Sequence, residues 1–340
     1  MQRPDLSDLP EEVVAYILAL EEALAAEGSP SPAGGGASFE PSEPPTTINV
    51  IAVTAEGLAK RTPRHLYGRQ RRSGMGVFDI EGPETDPPAI LAVADEAETI
   101  LVCTSSGRIF RLPVAGLPET PVRGRGQPLA GQLPLLPNER PVAVLPDGRG
   151  AYLALASERG WVRRVRASFV GQAMFQGTSF HDAAQGGPLV AACWSSGDEE
   201  LLLVTGRGQA LRFAERHVRD RQGCLGMRVD PDDRVVAIAA VSETSGVFLV
   251  GEDGKGTIRL MRGLRANKAP GAGGKAAIKA DAVRGAVTVR EGDDLFLISR
   301  LSKIIRFAAD EVPAKEGVVQ GVNCMSLRAD EVVAVTVSAI

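Results

Sequence analysis

Cysteine is scarce and scattered: Cys103, Cys193, Cys224 and Cys324 stand more than thirty residues apart and form no CxxC pair. That spacing speaks against a disulfide framework and against a zinc knuckle. The three histidines, His65, His181 and His217, lie far from one another and from any cysteine at ligand spacing, so no metal site is expected. No stretch approaches eighteen uninterrupted apolar residues, and the start carries acids and a proline where a targeting segment would have bases leading into an apolar run. The expectation is a protein of a reduced, cytoplasmic compartment that does not span a membrane. Glycine-rich stretches such as Gly206-Arg207-Gly208 lack the Lys-Ser/Thr context of nucleotide loops, and no convergent set of histidines and carboxylates is visible, so a propeller hydrolase is disfavoured. No cofactor and no catalytic residue are assigned.

Glycine (38 residues) and proline (23) are plentiful, whereas aromatics make up only 4% of the 340 residues. Many turns between short elements point to an all-β chain. The formal net charge of -4 averages two unlike parts: residues 1–46 hold one base and nine acids, whereas residues 47–340 hold 37 bases and 33 acids. A mildly basic body follows an acidic N-terminal segment, so any nucleic-acid role rests on where the bases sit rather than on their sum.

Residues 1–27 predict one amphipathic helix. Asp8 can cap it, Pro10 suits its first turn, and Val13, Ile17, Leu20 and Leu24 share one face before Gly28. A lone helix of this length is marginal in water, so that face is expected to pack on the body, on a second copy or on another protein. Residues 28–46, rich in glycine, proline and serine, read as a linker.

From residue 47 to 340 the chain repeats. A strand, a short turn and a second strand ending in arginine recur as VIAVTAEGLAKR, TILVCTSSGRIFR, YLALASERGWVRR, LLLVTGRGQALR, VFLVGEDGKGTIR and LFLISRLSKIIR, closing at Arg61, Arg111, Arg164, Arg212, Arg259 and Arg306. The sixth copy lacks the glycine. Thr54, Ser105, Ser157, Thr205 and Ser299 are expected to bond the local backbone at the turns. A polar loop and a further strand complete each unit. Six units of about four strands, at a period near 50 residues, fit a closed radial array whose blades bury their faces only against neighbours. The recurring arginines are expected to cap strand edges or pair with acids of the next blade.

The strongest basic stretch, RTPRHLYGRQRRSGMG (61–76), lies in the first unit. Close-spaced arginines on a glycine-bearing loop suit phosphate, whose oxygens they pair with in bidentate fashion. Its segment Gln70-Arg71-Arg72-Ser73-Gly74-Met75-Gly76, inside a six-unit β array, resembles the C-terminal domain of DNA gyrase A and of its topoisomerase IV relative, whose box reads Gln-Arg-Arg-Gly-Gly-Lys-Gly. Gln70, Arg71, Arg72, Gly74 and Gly76 match; Ser73 replaces a glycine and Met75 a lysine.

That resemblance implies a six-bladed β-pinwheel that binds double-stranded DNA, bends or wraps it around an outer rim and associates with the nucleoid. It places Arg71 and Arg72 at the centre of the contact, with Arg64 and Arg69 in support. The equivalent loops add Arg123 and Arg125 in unit two, Arg219 and Arg221 in unit four, and Arg265, Lys268 and Lys275 in unit five. The third loop, residues 168–187, has no Lys or Arg, and the sixth sets one lysine against three acids, so the DNA path is expected to be uneven. A complete gyrase A protein also has a breakage-reunion region with a nucleophilic tyrosine. Neither is found, which implies a non-catalytic accessory that could join a topoisomerase or self-associate through its N-terminal helix. The alternative is a diverged pinwheel that serves as a protein-interaction scaffold and no longer wraps DNA.

Overall fold

The computed structural model describes residues 43–220 and 222–339; the expected N-terminal helix and most of the linker lie outside these residues. Six blades follow from the six repeats. In the first, the hairpin Ile48–Thr54 and Leu58–Pro63 carries the inner strand Pro88–Asp95 on its Ile48–Thr54 side, all antiparallel. The inner strands of the others are Pro141–Pro146, Leu189–Ser195, Val235–Val241, Val283–Val289 and Val332–Ser338. Together the inner strands line a central channel of about 1270 Å³.

The apolar run of each repeat becomes a strand buried on both faces. Side chains alternate across a strand, so Ile51 and Val53 pack with Ile100, Val102 and Phe110 of the second blade, whereas Val50 and Ala52 pack with Phe296 and Ile298 of the sixth. Six such clusters occur, one at each blade junction, and the one between blades six and one closes the ring. No blade has a core of its own.

The outermost strand of every blade comes from the following unit. Gln127–Pro128 pairs on the first blade, Thr178–Ser179 on the second, Cys224–Leu225 on the third and Lys275–Ala276 on the fourth. The fifth blade receives Ala314–Lys315 and Val322–Asn323, and the sixth receives Val77–Phe78 from the first unit. This exchange makes the ring a pinwheel. A glycine precedes the antiparallel exchanged strand in every unit: Gly76, Gly126, Gly177, Gly223, Gly274 and Gly321. At Gly76 (φ 71°) a Cβ would stand 2.6 Å from the Ile304 carbonyl oxygen, and at Gly321 (φ 89°) 2.4 Å from that of Gly256, so a side chain would push the strand off its blade.

Hydroxyls at Thr54, Ser157, Thr205 and Ser299 accept the backbone N–H four residues on, as expected. In the second blade that residue is Thr104, which accepts from Arg108 N; Ser105 instead receives the N–H of Arg140. The missing glycine of the sixth turn is replaced by Ser302, at φ 64°. Its hydroxyl accepts from Ile80 N (2.9 Å) and donates to Ile80 O (2.7 Å), clamping the first unit's loop to the sixth blade.

The recurring arginines are structural. Arg61 donates to Leu117 O and pairs with Glu119; Arg111 donates to Val170 O; Arg164 pairs with Asp220; Arg212 donates to Met261 O. Each of these partners belongs to the following unit. Arg306 continues the pattern across the ring closure by donating to Arg64 O and Tyr67 O, whereas Arg259 stays within its own unit, on Gly263 O.

Glu43 sits at the same closure, between Arg64 (2.9 Å) and Arg306 (3.0 Å). Burial alone would raise its pKa, but the hydrogen bonds and charges of the two arginines outweigh it and hold the carboxyl below its ordinary value of 4.5. A carboxyl depressed on folding adds stability above its unfolded pKa and loses it as the pH falls through the lower folded value. Thermal unfolding followed downward from neutral pH is expected to show the closure at full strength until the pH drops below 4.5. Glu43→Gln should lower stability at neutral pH and flatten that acid limb.

Candidate nucleic-acid interface

The first unit's loop leaves its outer strand through a short 3-10 turn, Arg64–Leu66, and runs to the exchanged strand Val77–Phe78. Between them it is fastened to the sixth unit by its backbone. Gln70 N donates to Arg306 O (2.8 Å), Ser73 N to Cys324 O (2.9 Å) and Arg72 N to Glu311 Oε2 (3.0 Å), while Gly74 O accepts from Ser326 N (2.9 Å). Ser73 takes φ 70°, a conformation that favours glycine, and its hydroxyl donates to Asn323 O (2.7 Å). The serine therefore keeps the turn and adds a bond to the neighbouring unit. Gly74 is closely packed: a Cβ there would lie 2.5 Å from Gln70 Oε1.

On this fixed loop the predicted contacts separate. Arg71 is exposed and has no side-chain partner among the described residues. Arg72 is half-buried, with Nη1 donating to Asn323 O (3.1 Å). Arg69 is exposed but pairs with the buried Asp294 (2.9 Å). Arg64 is placed otherwise than expected: it is 5% exposed, and Glu43, Ser338 and Ala339 take its guanidinium. It is a residue of the ring closure, withdrawn from the surface. Met75 projects outward, 54% exposed.

Beneath the loop lies a buried charge cluster. Lys60 Nζ is 2.8 Å from Asp79 Oδ1, both side chains fully buried, and Tyr67 donates its hydroxyl to the same oxygen (2.7 Å). Burial pushes Asp79 up and Lys60 down, each opposed by the other's charge; burial and then the Asp79 charge drive Tyr67 well above its usual range. Lys60 also donates to Pro121 O (3.1 Å) and Val122 O (2.6 Å). This ties the second unit's rim to the first.

That rim carries Arg123, 74% exposed on its side chain, with its guanidinium 5.1 Å from the Phe78 ring centroid, and the exposed Arg125. Ile80–Glu81 pairs in parallel with Gly124–Arg125, so the first and second loops form one surface. A second stretch covers units four and five. Arg219, Arg265, Lys268 and Lys275 are exposed, and the two loops are joined by Gly271 N on Gly226 O (2.8 Å) and Arg228 N on Ala272 O (2.9 Å). Arg221 lies outside the described residues. The sixth loop turns Glu311 to the backbone of Arg72 and Glu316 to Arg262 (2.7 Å).

The sequence matches the family described as DNA gyrase C-terminal domain, beta-propeller, over residues 49–83, 98–145, 199–242 and 293–338. The chain belongs to this family. Its matched segments fall on units one, two, four and six. The gyrase A protein of Mycobacterium bovis is 29% identical over 305 residues, covering 82% of this chain and 35% of that protein. The gyrase A protein of Mycolicibacterium smegmatis is 30% identical over 293 residues, covering 82% and 34%. The chain thus spans about a third of the length of these relatives.

Among solved structures, that of a DNA gyrase A C-terminal domain superposes with a TM-score of 0.73 at 22% identity, covering 85% of this chain and 99% of that one. The C-terminal domain of a DNA topoisomerase IV gives 0.61 at 19% identity, covering 86% and 94%. Both likenesses bear on the fold, a gyrase-type ring. The residues that sequence reasoning missed are the buried Lys60–Asp79–Tyr67 set and the glycine before each exchanged strand. The glycines were legible as one recurrence per unit; the charge cluster, which joins three separate segments, left no local signal.

Proposed function

We propose that this gyrase-type pinwheel binds duplex DNA along its outer rim through phosphate contacts, with little sequence preference, and bends or wraps it without catalysing a reaction. The observation that carries the reading is the exposed Arg71, without a side-chain partner among the described residues, on a loop whose backbone is fixed to the neighbouring unit, continuous with Arg123 and Arg125. Cations held at separate points of a curved surface touch successive phosphates and offset the energy of bending without reading bases. Arg72, Gln70, Gly74 and Gly76 shape the first contact, and Arg69 flanks it. Arg219, Arg221, Arg265, Lys268 and Lys275 supply the second. Such a protein acts as a nucleoid-associated factor or as an accessory of a topoisomerase, joined to it or to a second copy through residues 1–27.

Met75, exposed where the family box has lysine, favours one competing role, a protein-interaction scaffold. The two are separated with relaxed plasmid treated with a type I topoisomerase in the presence of the chain. Wrapping leaves trapped supercoils after the protein is removed, whereas a mobility shift without topological change means binding alone. No shift would support the scaffold. Restoring the box with Ser73→Gly and Met75→Lys is expected to increase trapping.

A further inference from the structure

Arg259 is out of step with the other recurring arginines. Arg61, Arg111, Arg164, Arg212 and Arg306 each stand four residues after the left-handed residue of their hairpin turn, whereas Arg259 stands five after Gly254. Because side chains alternate across a strand, the shift turns Arg259 to the other face of its blade. It lies opposite Val247, whose cluster fills the junction of blades four and five, and Arg212 lies opposite Leu202 of that same cluster. One junction therefore receives two arginines.

Their partners are unequal. Arg212 pairs with Glu200 (3.0 Å) and with Glu243, and donates to Met261 O (2.9 Å). Arg259 is 4% exposed and donates to Gly263 O (2.9 Å), while its Nε and Nη1 find no acceptor among the described residues. The hydroxyl of Thr257, two residues earlier on the same face, is also buried without a partner there. Burial holds Arg259 below its ordinary pKa, opposed by the charge of Glu316, which is itself paired with Arg262.

The first unit shows what the fifth lacks. Ala277 N donates to Gly208 O as Asp79 N donates to Ser302 O, and Leu264 ends its 3-10 turn as Tyr67 does. Thr257, Arg259, Leu264 and Ala277 thus occupy the positions of Lys60, Thr62, Tyr67 and Asp79. A buried base remains, but the carboxylate and the phenol give way to smaller apolar side chains.

We propose that Arg259 and Thr257 bind a phosphate oxyanion between the two ends of the fifth loop, where the first unit carries the Asp79 carboxylate. The free N–H groups of Arg259 donate charge-assisted hydrogen bonds to its oxygens, and the Thr257 hydroxyl adds another. The phosphate comes either from a duplex held by the exposed Arg265, Lys268 and Lys275 of the same loop or from the free ion. The first source rests on the DNA-binding reading above; the second does not.

The test follows thermal unfolding of the full chain while inorganic phosphate is titrated at constant ionic strength. Wild type should show a saturable rise in melting temperature, since an ion bound by the folded state alone stabilises it. Arg259→Met removes the uncompensated buried charge, so it should melt above wild type without phosphate and lose the rise; Thr257→Val should weaken the rise. In a parallel salt series with duplex, a slope reduced by about 1 in Arg259→Met assigns the phosphate to DNA, and an unchanged slope with the rise lost assigns it to the free ion. The site is overturned if wild type gains nothing from phosphate and the slope does not depend on Arg259, or if Arg259→Met keeps the rise. Should Arg259→Met not fold, the wild-type titration and Thr257→Val decide. Failure of wild type to bind duplex at all would sink the DNA-binding reading and leave the phosphate titration standing.

Discussion

Replacing Asp79 with alanine is expected to cost about 3–5 kcal/mol of folding stability, because it strands a buried ammonium without its counter-charge. Lys60 and Asp79 are both fully buried, 2.8 Å apart. The remaining partners of Lys60 are the carbonyls of residues 79, 121 and 122, which accept its hydrogen bonds but neutralise no charge. The penalty should ease as the pH rises, since burial already depresses the pKa of Lys60 and loss of Asp79 removes the charge that opposes this shift. Equilibrium unfolding in urea measures both effects. Removing the pair together, as Lys60→Met with Asp79→Leu, should recover most of the loss; an Asp79→Ala protein within about 1 kcal/mol of wild type would contradict the description of the site. The cluster bears on function as well, since it joins the loop carrying Arg71 to the rim carrying Arg123.

Neutralising Arg71 and Arg72 together is expected to weaken duplex binding across all sequences alike and to reduce the slope of log affinity against log salt by about 2, one unit for each phosphate released. Supercoil trapping on plasmid should fall further than binding, since a wrap needs its first contact fixed. Arg71→Ala alone should leave thermal stability unchanged, because its side chain has no partner among the described residues. Arg72→Ala carries a small stability cost through the lost bond to Asn323 O. Comparing the single changes separates charge from structure. Unchanged trapping in the double variant would remove the box from the interface.

The six blades were legible because each repeat states its own strand twice over: an uninterrupted apolar run such as VFLV or LFLI suits a strand buried on both faces, and the turn that follows reverses it. Charge was less legible than pattern. The stretch 61–76 reads as one basic loop, yet Arg61 and Arg64 are drawn inward by Glu119 and Glu43, and Arg69 is tied to Asp294, leaving Arg71 as the exposed arginine without a partner among the described residues. A carboxylate brought by another part of the chain decides which arginine is structural, and sequence spacing does not carry that information. The turn hydroxyl was misassigned in one unit for a local reason: Thr104 and Ser105 are adjacent, and only the register of the hairpin selects Thr104. Strand exchange rests on two-residue segments, too short for any periodicity, and was expected only from the family likeness.

A rim that holds DNA by its phosphates should reveal itself in equilibrium binding to a duplex of arbitrary sequence over a salt series. With roughly six to nine phosphate contacts, log affinity should fall against log salt with a slope of about -5 to -8. That steep line should be the same for unrelated sequences. A flat dependence, or no binding at low salt, would contradict it.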